Sequence, residues 1–273
     1  MSFPGAARRD EIGDLARALE QLTRRLDAHV RLLESFAADV SHEFRNPLAS
    51  IRTAAEMLAG AHAQPDRARF MAMLTRDVDR LERLVTGVRE LARIDAQLAH
   101  EDTGPVDVTA LISHIVAGLR MTKPCPIGLT AAGDGRPHVL ASPERLSQVF
   151  ENLLVNACGF SPPGTGVSVL VADDPGFCRV TVSDRGPGIP PEHLERIFDR
   201  FFTYRPHDPA GRREHAGLGL AIARAIVEGY GGSVTVANRP EGGAEFEIRL
   251  PATRMRPAGT AAATRPVSMT GSA

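Results

Sequence analysis

A histidine with polar neighbours stands in a segment, residues 36–51, whose apolar residues have helical spacing. Val40 and Phe44 fall on the apolar side, and His42 lies about 200° around the helix from each of them, so its ring faces solvent. A neutral imidazole can attack phosphorus, and an adjacent carboxylate, here Glu43, can hold the other ring N–H. Asn46 follows one turn later on the same face, where its amide could position a water or an acyl phosphate. These residue types predict phosphoryl chemistry at His42.

A proline one turn further on distinguishes this histidine from an ordinary exposed one. A solitary exposed helix histidine is usually incidental, and a kinked bundle helix that carries one is the alternative interpretation. Pro47 has no N–H for the carbonyl of Glu43, and its ring crowds that carbonyl, which predicts a bend just beyond His42. Because a bend is unfavourable in a long helix, its presence indicates that motion or access is useful there.

Four short motifs in the second half of the chain carry the other residues that could bind a ligand. Asn152 and Asn156 are four apart and share one helix face. The other three motifs are Asp184-Arg185-Gly186-Pro187-Gly188-Ile189, the aromatic cluster at 197–202 and Gly217-Leu218-Gly219. Each also has an ordinary structural interpretation: a buried hydrogen-bonding asparagine, a plain turn, an aromatic core and a helix start.

The elements that position His42 are two long helices. Apolar residues recur at steps of three and four, as in a coiled coil or a bundle helix. The first helix carries Leu15, Leu19, Leu22, Leu26, Val30, Leu33, Phe36, Val40, Phe44, Leu48, Ile51 and Leu58, and the second carries Phe70, Leu74, Val78, Leu81, Val85, Val88, Leu91 and Leu98. Residues 60–65 supply the turn between them. One hairpin cannot bury both seams, so we predict a homodimer whose two hairpins form a four-helix bundle.

Mixed helix and strand patterns follow a polar linker at 100–105. The predicted strands cover 106–108, 127–130, 138–141, 167–172, 177–183, 233–237 and 244–250. Helices are predicted over 109–121 with Thr109 as cap, over 143–157 with Ser142 as cap and Pro143 at the first position, and over 217–230. This order indicates an α+β sandwich, and the tail from Ala252 is predicted to be disordered.

Composition excludes several classes of protein. The 273 residues are 43% hydrophobic and 24% charged, with 32 basic against 33 acidic residues, which argues against a nucleic-acid-binding surface. The cysteines Cys125, Cys158 and Cys178 are far apart in sequence, so neither a disulfide framework nor a zinc site is suggested, and a reducing cytoplasm fits best. No apolar run reaches the length of a membrane span, and the N-terminus does not resemble a signal peptide.

Residues 36–51 resemble the H-box of sensor histidine kinases, whose dimerisation and phosphotransfer domain is a helical hairpin. The resemblance implies that His42 is the phosphoacceptor, Glu43 its acid/base partner and Asn46 an aid to phosphatase chemistry. The partners it implies are a second copy of the chain and the receiver domain of a response regulator.

The four later motifs, in their order, resemble the N, G1, F and G2 boxes of the kinase ATP-binding domain, a Bergerat-type α/β sandwich shared with gyrase, the Hsp90 chaperones and MutL. The resemblance implies that Asp184 accepts the adenine amino group, that Asn156 is a ligand of Mg²⁺, and that a lid over 203–216 brings Arg205, Arg212 and Arg213 to the phosphates of ATP. The implied nucleotide-binding residues are Asn152, Asn156, Phe160, Asp184, Gly186, Gly188, Ile189, Phe198, Phe202, Arg205, Gly217, Leu218 and Gly219.

Two departures from the family pattern leave other functions open. Gly159 stands where many relatives have a basic residue, and His215 stands where an earlier glycine is usual. A dimeric scaffold that binds nucleotide and regulator without phosphotransfer is therefore one alternative. A chaperone- or gyrase-type ATPase is disfavoured, because Asn152 occupies the position of the glutamate that activates water in those relatives.

The resemblance also predicts the domain organisation. Residues 1–34 resemble the end of a HAMP linker, 35–99 form the dimerisation and phosphotransfer domain, 105–251 the ATP-binding domain and 252–273 the tail. This chain would then be the cytoplasmic part of a protein that reaches the inner membrane only through N-terminal segments outside it.

Overall fold

The structure is a computed structural model that describes residues 10–60, 63–97, 101–122, 125–132, 137–204 and 217–253. The chain divides into two compact units. One unit comprises residues 1–90 with 199–218, and the other comprises 91–198 with 219–273. No helix in the described ranges has both the length and the apolar character that a membrane span requires.

Two antiparallel helices form the predicted hairpin: α1 spans Glu11–Gly60 and α2 spans Gln64–Gln97. Asp10 caps α1 by accepting the Gly13 N–H. The helices are joined by a hydrogen bond of 2.6 Å from Ser50 Oγ to Asp77 Oδ2. α1 continues through Pro47, which is buried.

Large apolar side chains on α1 lie open to solvent in the single chain. Leu15 is 69% exposed and Leu22 is 62% exposed. The other large apolar side chains of α1 that remain exposed are Leu19, Leu26, Val30, Leu33, Leu48 and Met57. A row of leucines at helical spacing is stable in water only when another surface covers it.

The second unit is a seven-stranded sheet with a layer of three helices. Its strands are β1 Gly104–Asp107, β2 Ile127–Ala132, β3 His138–Ala141, β4 Val167–Asp174, β5 Phe177–Ser183, β6 Ser233–Asn238 and β7 Ala244–Thr253; its helices are α3 Val108–Thr122, α4 Pro143–Phe160 and α5 Gly219–Gly229. The strand order is β1-β3-β7-β5-β4-β2, with β6 also paired to β7. Only the pairing of β2 with β4 is parallel among the described pairings. The predicted α+β sandwich is confirmed.

The core lies between the sheet and the helix layer. Along β7, Phe246, Ile248 and Leu250 are buried, while Glu245 and Arg249 alternate with them on the open face. This period of two is that of a sheet with one covered face. Phe150 and Leu153 of α4 are fully buried opposite it.

The structure confirms one predicted helix start, corrects another and extends the last strand. Ser142 accepts the Arg145 N–H, and Pro143 opens α4, as predicted. The prediction for α3 was wrong: Asp107, not Thr109, is the cap, because its Oδ1 accepts the Ala110 N–H at 2.9 Å. β7 runs to Thr253, so Ala252 belongs to a strand instead of the predicted tail; residues 254–273 lie outside the described ranges.

The structure contains a disulfide, although the cysteine spacing suggests no disulfide framework. Cys125, just before β2, is bonded to Cys158 in the last turn of α4, with their Cα atoms 5.8 Å apart. The two cysteines are 33 positions apart in sequence, and the fold brings them together because the start of β2 lies beside the end of α4. Cys178 is a buried free thiol.

Candidate functional site

The His42 side chain is exposed on α1, as the sequence predicts, and Asn46 is exposed one turn later. Glu43 is partly buried and paired across the hairpin: its Oε2 lies 2.9 Å from a guanidinium nitrogen of Arg80 on α2. The two side chains are 23% and 12% exposed, so this pair is less screened than a surface ion pair. Arg80 is a residue that sequence reasoning missed, because nothing in the local pattern connects it to Glu43.

The carboxylate of Asp184 is the best-defined polar group of the second unit. Asp184 is 4% exposed and directly follows β5. Its Oδ1 accepts two backbone N–H groups, from Gly186 at 2.8 Å and from Ala244 at 3.0 Å. Among the described residues Oδ2 has no hydrogen bond. An accessible carboxylate oxygen without a protein donor favours a ligand that donates an N–H there.

The loop after Asp184 requires glycine at two positions. A Cβ on Gly186 would lie 2.9 Å from the Phe160 carbonyl oxygen and 3.0 Å from Asp184 Oδ1. Gly188 has a φ of +78°, and a Cβ there would lie 3.0 Å from Asn238 Oδ1. Such a backbone leaves room for a flat group to approach beside Asp184.

Two residues at the end of β6 hold this loop in place, Asn238 in the strand and Arg239 just after it, and sequence reasoning missed both. Asn238 binds Ile189 twice: its Oδ1 accepts the Ile189 N–H at 2.8 Å, and its Nδ2 donates to the Ile189 carbonyl at 2.6 Å. Arg239 donates to the Asp184 carbonyl oxygen at 3.0 Å. Asn238 and Arg239 lie about fifty positions from the loop, so only the sheet pairing connects them to it.

α4 presents the predicted amide pair. Asn152 Nδ2 is buried and has no hydrogen-bond partner among the described residues. Its Oδ1 lies 3.2 Å from the position of a Cβ on Gly219, the first residue of α5, so the amide lies beside the N-terminus of that helix. Helix N-termini favour anions, and an unpaired buried amide favours a polar ligand.

Asn156 is half-buried on the same helix and offers one hard oxygen ligand. The described residues contain no cluster of three or more His, Cys, Asp or Glu side chains that could hold a metal ion by themselves. This donor set fits Mg²⁺, which commonly takes one or two protein oxygens together with phosphate oxygens and water. It does not suit a metal held entirely by protein.

The aromatic cluster divides between the two units. Phe198 is 8% exposed and packs edge-on against Phe246 with ring centroids 6.3 Å apart, so it occupies a core position, the alternative that the sequence left open. Phe201 belongs to the helical unit and stacks on Phe36 of α1 with centroids 6.4 Å apart. The guanidinium of Arg200 lies 4.9 Å from the same Phe36 ring.

Three further predicted residues, Phe202, Gly217 and Leu218, also lie in the helical unit. Gly217 has a φ of +68°, and a Cβ there would lie 2.8 Å from the Phe202 carbonyl oxygen. Leu218 is buried, and its Cδ1 lies 2.5 Å from the position of a Cβ on Gly87 of α2. Arg205, with Arg212, Arg213 and His215, lies outside the described residues.

Two family models match this chain. Residues 32–97 match the His Kinase A (phospho-acceptor) domain, and residues 141–254 match the family described as histidine kinase-, DNA gyrase B- and HSP90-like ATPase. The sensor protein ChvG of Agrobacterium fabrum is 37% identical over 261 residues, which cover 90% of this chain and 44% of ChvG. The chain spans about half the length of the curated relatives it matches.

Solved structures that resemble this chain include two histidine kinases. The histidine kinase ThkA, in complex with response regulator protein TrrA, is 25% identical with a TM-score of 0.65, covering 89% of this chain and 68% of that one. Full-length ShkA in complex with AMPPNP is 29% identical with a TM-score of 0.57, covering 80% of this chain and 46% of that one.

Proposed function

Since the chain belongs to the sensor histidine kinase family of two-component systems, we propose that it transfers the γ-phosphoryl group of ATP to His42 and then to an aspartate of a response regulator. The observation that carries the proposal is the combination of two complementary sites in one chain. An exposed imidazole stands on the hairpin, and a buried carboxylate with one unpaired oxygen stands in a glycine-lined loop of the sandwich.

ATP binds through its base and its phosphates. Asp184 Oδ2 accepts the adenine amino group, while Gly186 and Gly188 allow the base to approach the backbone. Asn152 Nδ2 and the N-terminus of α5 at Gly219 donate to the phosphates. Asn156 would hold Mg²⁺, which neutralises phosphate charge when bound.

The transfer step needs an attacking nitrogen and a proton holder. His42 Nε2 attacks the γ-phosphorus, and the bond to the β–γ bridging oxygen breaks with ADP as the leaving group. Arg80 fixes Oε2 of Glu43, while Oε1 has no partner among the described residues. That second oxygen is available to hold the Nδ1 proton of His42 and stabilise the imidazolium that forms.

The hairpin also provides the partner surfaces. A second copy covers the exposed leucine row of α1 and completes a four-helix bundle. A response regulator accepts the phosphoryl group from His42, and Asn46 aligns water when the aspartyl phosphate is hydrolysed. ThkA bound to TrrA supports a regulator partner for a kinase of this kind. The longer protein, of which this chain is the kinase portion, reaches the membrane through segments that precede it.

The test is incubation with γ-labelled ATP and Mg²⁺. We expect wild type and a His114→Gln control, which alters another exposed helix histidine, to take up label that is stable to alkali and lost in acid. His42→Gln should take up none. Full labelling of His42→Gln would refute the assignment, and ATP binding without any labelling of wild type would support the scaffold alternative.

A further inference from the structure

The disulfide between Cys125 and Cys158 joins two parts of the sandwich at its nucleotide-binding end. Cys158 lies in the last turn of α4, two residues after Asn156 and two before Phe160. Cys125 lies two residues before β2. Both cysteines are half-buried, so small thiols and disulfides can reach them.

The last turn of α4 is in direct contact with the adenine loop, the loop of residues 184–189 that carries Asp184, Gly186 and Gly188. The Phe160 carbonyl oxygen lies 2.9 Å from the position of a Cβ on Gly186. Ser161, the residue that caps α4, accepts the Arg185 N–H on its Oγ at 3.3 Å. A displacement of this turn therefore moves the backbone on which Asp184 and Gly186 depend.

The other end of the bond is anchored to a strand with one neighbour. Within the described sheet β2 pairs only with β4. Near its start, Arg120 donates to the Ile127 carbonyl at 2.6 Å, and the Pro126 carbonyl accepts the Val167 N–H at 2.9 Å. These bonds hold β2 to α3 and β4, but they do not connect it to the end of α4.

We propose that Cys125 and Cys158 form a reversible thiol–disulfide site that controls nucleotide binding. The oxidised form holds the last turn of α4 against the adenine loop, and reduction releases that turn and weakens ATP binding. This inference takes one thing from the proposed function, namely that the sandwich binds ATP. In proteins of reducing compartments, disulfides are usually transient and redox-sensing.

The chemistry is thiol–disulfide exchange with a low-molecular-weight disulfide as oxidant. One cysteine thiolate attacks a sulfur of that disulfide, forming a mixed disulfide and releasing one small thiol. The second cysteine thiolate attacks the protein sulfur of the mixed disulfide, the Cys125–Cys158 bond forms, and a second small thiol leaves. Two protein thiols are oxidised and one small disulfide is reduced to two thiols.

Cys178 provides an internal control, since burial raises the pKa of its thiol to about 12. A thiol of that pKa is almost entirely protonated at neutral pH and reacts slowly. Exchange and alkylation of the folded protein are therefore confined to the other two cysteines.

The first measurement is thiol state and thermal stability. The full chain is equilibrated with glutathione at ratios from fully reduced to fully oxidised, quenched by alkylation and analysed by mass spectrometry. Closing a loop with a sequence separation of 33 should raise the melting temperature of the sandwich by roughly 10 °C in the chain-entropy model. Cys125→Ser and Cys158→Ser should show no such shift, whereas Cys178→Ala should keep it.

The second measurement is the affinity for a non-hydrolysable ATP analogue in both redox states. We expect reduction to weaken binding roughly 5-fold or more, as for ordinary coupling between two sites, and saturating analogue to shift the thiol–disulfide equilibrium by the same factor. Both cysteines remaining alkylatable under oxidised glutathione, or equal affinities in the two states, would overturn the proposal. Labelling of His42 in fully reduced protein at saturating ATP tests the kinase function separately, because saturation offsets the weaker binding.

Discussion

Exchange of Asp184 for asparagine changes one atom of the proposed base-binding carboxylate and keeps its shape. The carboxamide oxygen can still accept the N–H groups of Gly186 and Ala244, which Oδ1 accepts now at 2.8 and 3.0 Å. The Arg239 bond to the Asp184 carbonyl is also unaffected. The change is therefore confined to the second position, where an NH₂ group replaces Oδ2 and opposes the amino group of adenine.

The expected loss follows from that single contact. A hydrogen bond to a charged group contributes about 1.5–3 kcal/mol, and burying an unpaired donor costs a further 1–3 kcal/mol. Taking about 3 kcal/mol as the sum after partial relaxation, the Kd for ATP should rise roughly 150-fold.

Titration calorimetry of the full chain with a non-hydrolysable ATP analogue measures this change. Asp173→Asn is the matched control, because Asp173 is an exposed carboxylate on β4, and it should bind like wild type. The matching inosine nucleotide has an oxygen in place of the amino group, so Asp184→Asn should favour it relative to ATP. Unchanged ATP affinity in a folded variant, or an equal loss for both nucleotides, would refute the proposed role of Asp184.

Four further substitutions test the hairpin and α4. Arg80→Met removes the partner of a partly buried Glu43 and should lower the free energy of unfolding by about 1–2 kcal/mol in urea titrations; an unchanged midpoint would contradict the cross-helix role. Glu43→Gln should slow labelling of His42 about 100-fold at unchanged ATP affinity, whereas normal labelling would exclude Glu43 as proton holder. Pro47→Leu restores a helix N–H and should shift the kinase-to-phosphatase ratio; an equal ratio would rule out the hinge argument. Ser142→Ala removes the α4 cap and should lower the calorimetric melting temperature by about 2–4 °C, and no change would mean that the cap is compensated.

Local sequence patterns were sufficient to predict most of the helices and strands. Apolar spacing predicts both long helices and the turn between them, because each helix repeats its pattern over many turns. Ser142 followed by Pro143 predicts the start of α4, since both residues act within one turn. Thr109 misled the prediction for α3, because Asp107, two residues earlier, also has a side chain that can cap a helix.

Local sequence patterns could not predict the contacts between residues that are far apart in the chain. Cys125 and Cys158 meet only because the parallel pairing of β2 with β4 places the start of β2 near the end of α4. Asn238 and Arg239 reach the adenine loop because β6 pairs with β7, whose first residue binds Asp184. Such contacts depend on topology, which the order of residues in one segment does not reveal.

The sequence predicts those properties of the candidate site that depend on neighbouring residues in one segment. His42 is exposed and Asp184 buried, as helical spacing and the box motif suggest. Phe198 is predicted to contact the nucleotide, and its ring packs on Phe246. An aromatic residue in an apolar cluster satisfies both interpretations equally well, so the sequence could not separate them.

The proposed kinase function requires that the exposed imidazole of α1 receive a phosphoryl group from ATP held in the sandwich. Its most direct test is tandem mass spectrometry of the full chain after incubation with ATP and Mg²⁺, under conditions that preserve phosphohistidine. We expect one phosphoryl group on His42 and its disappearance in Asp184→Asn at low ATP. A phosphoryl group on Ser41 or on another histidine, with His42 unmodified, would contradict it.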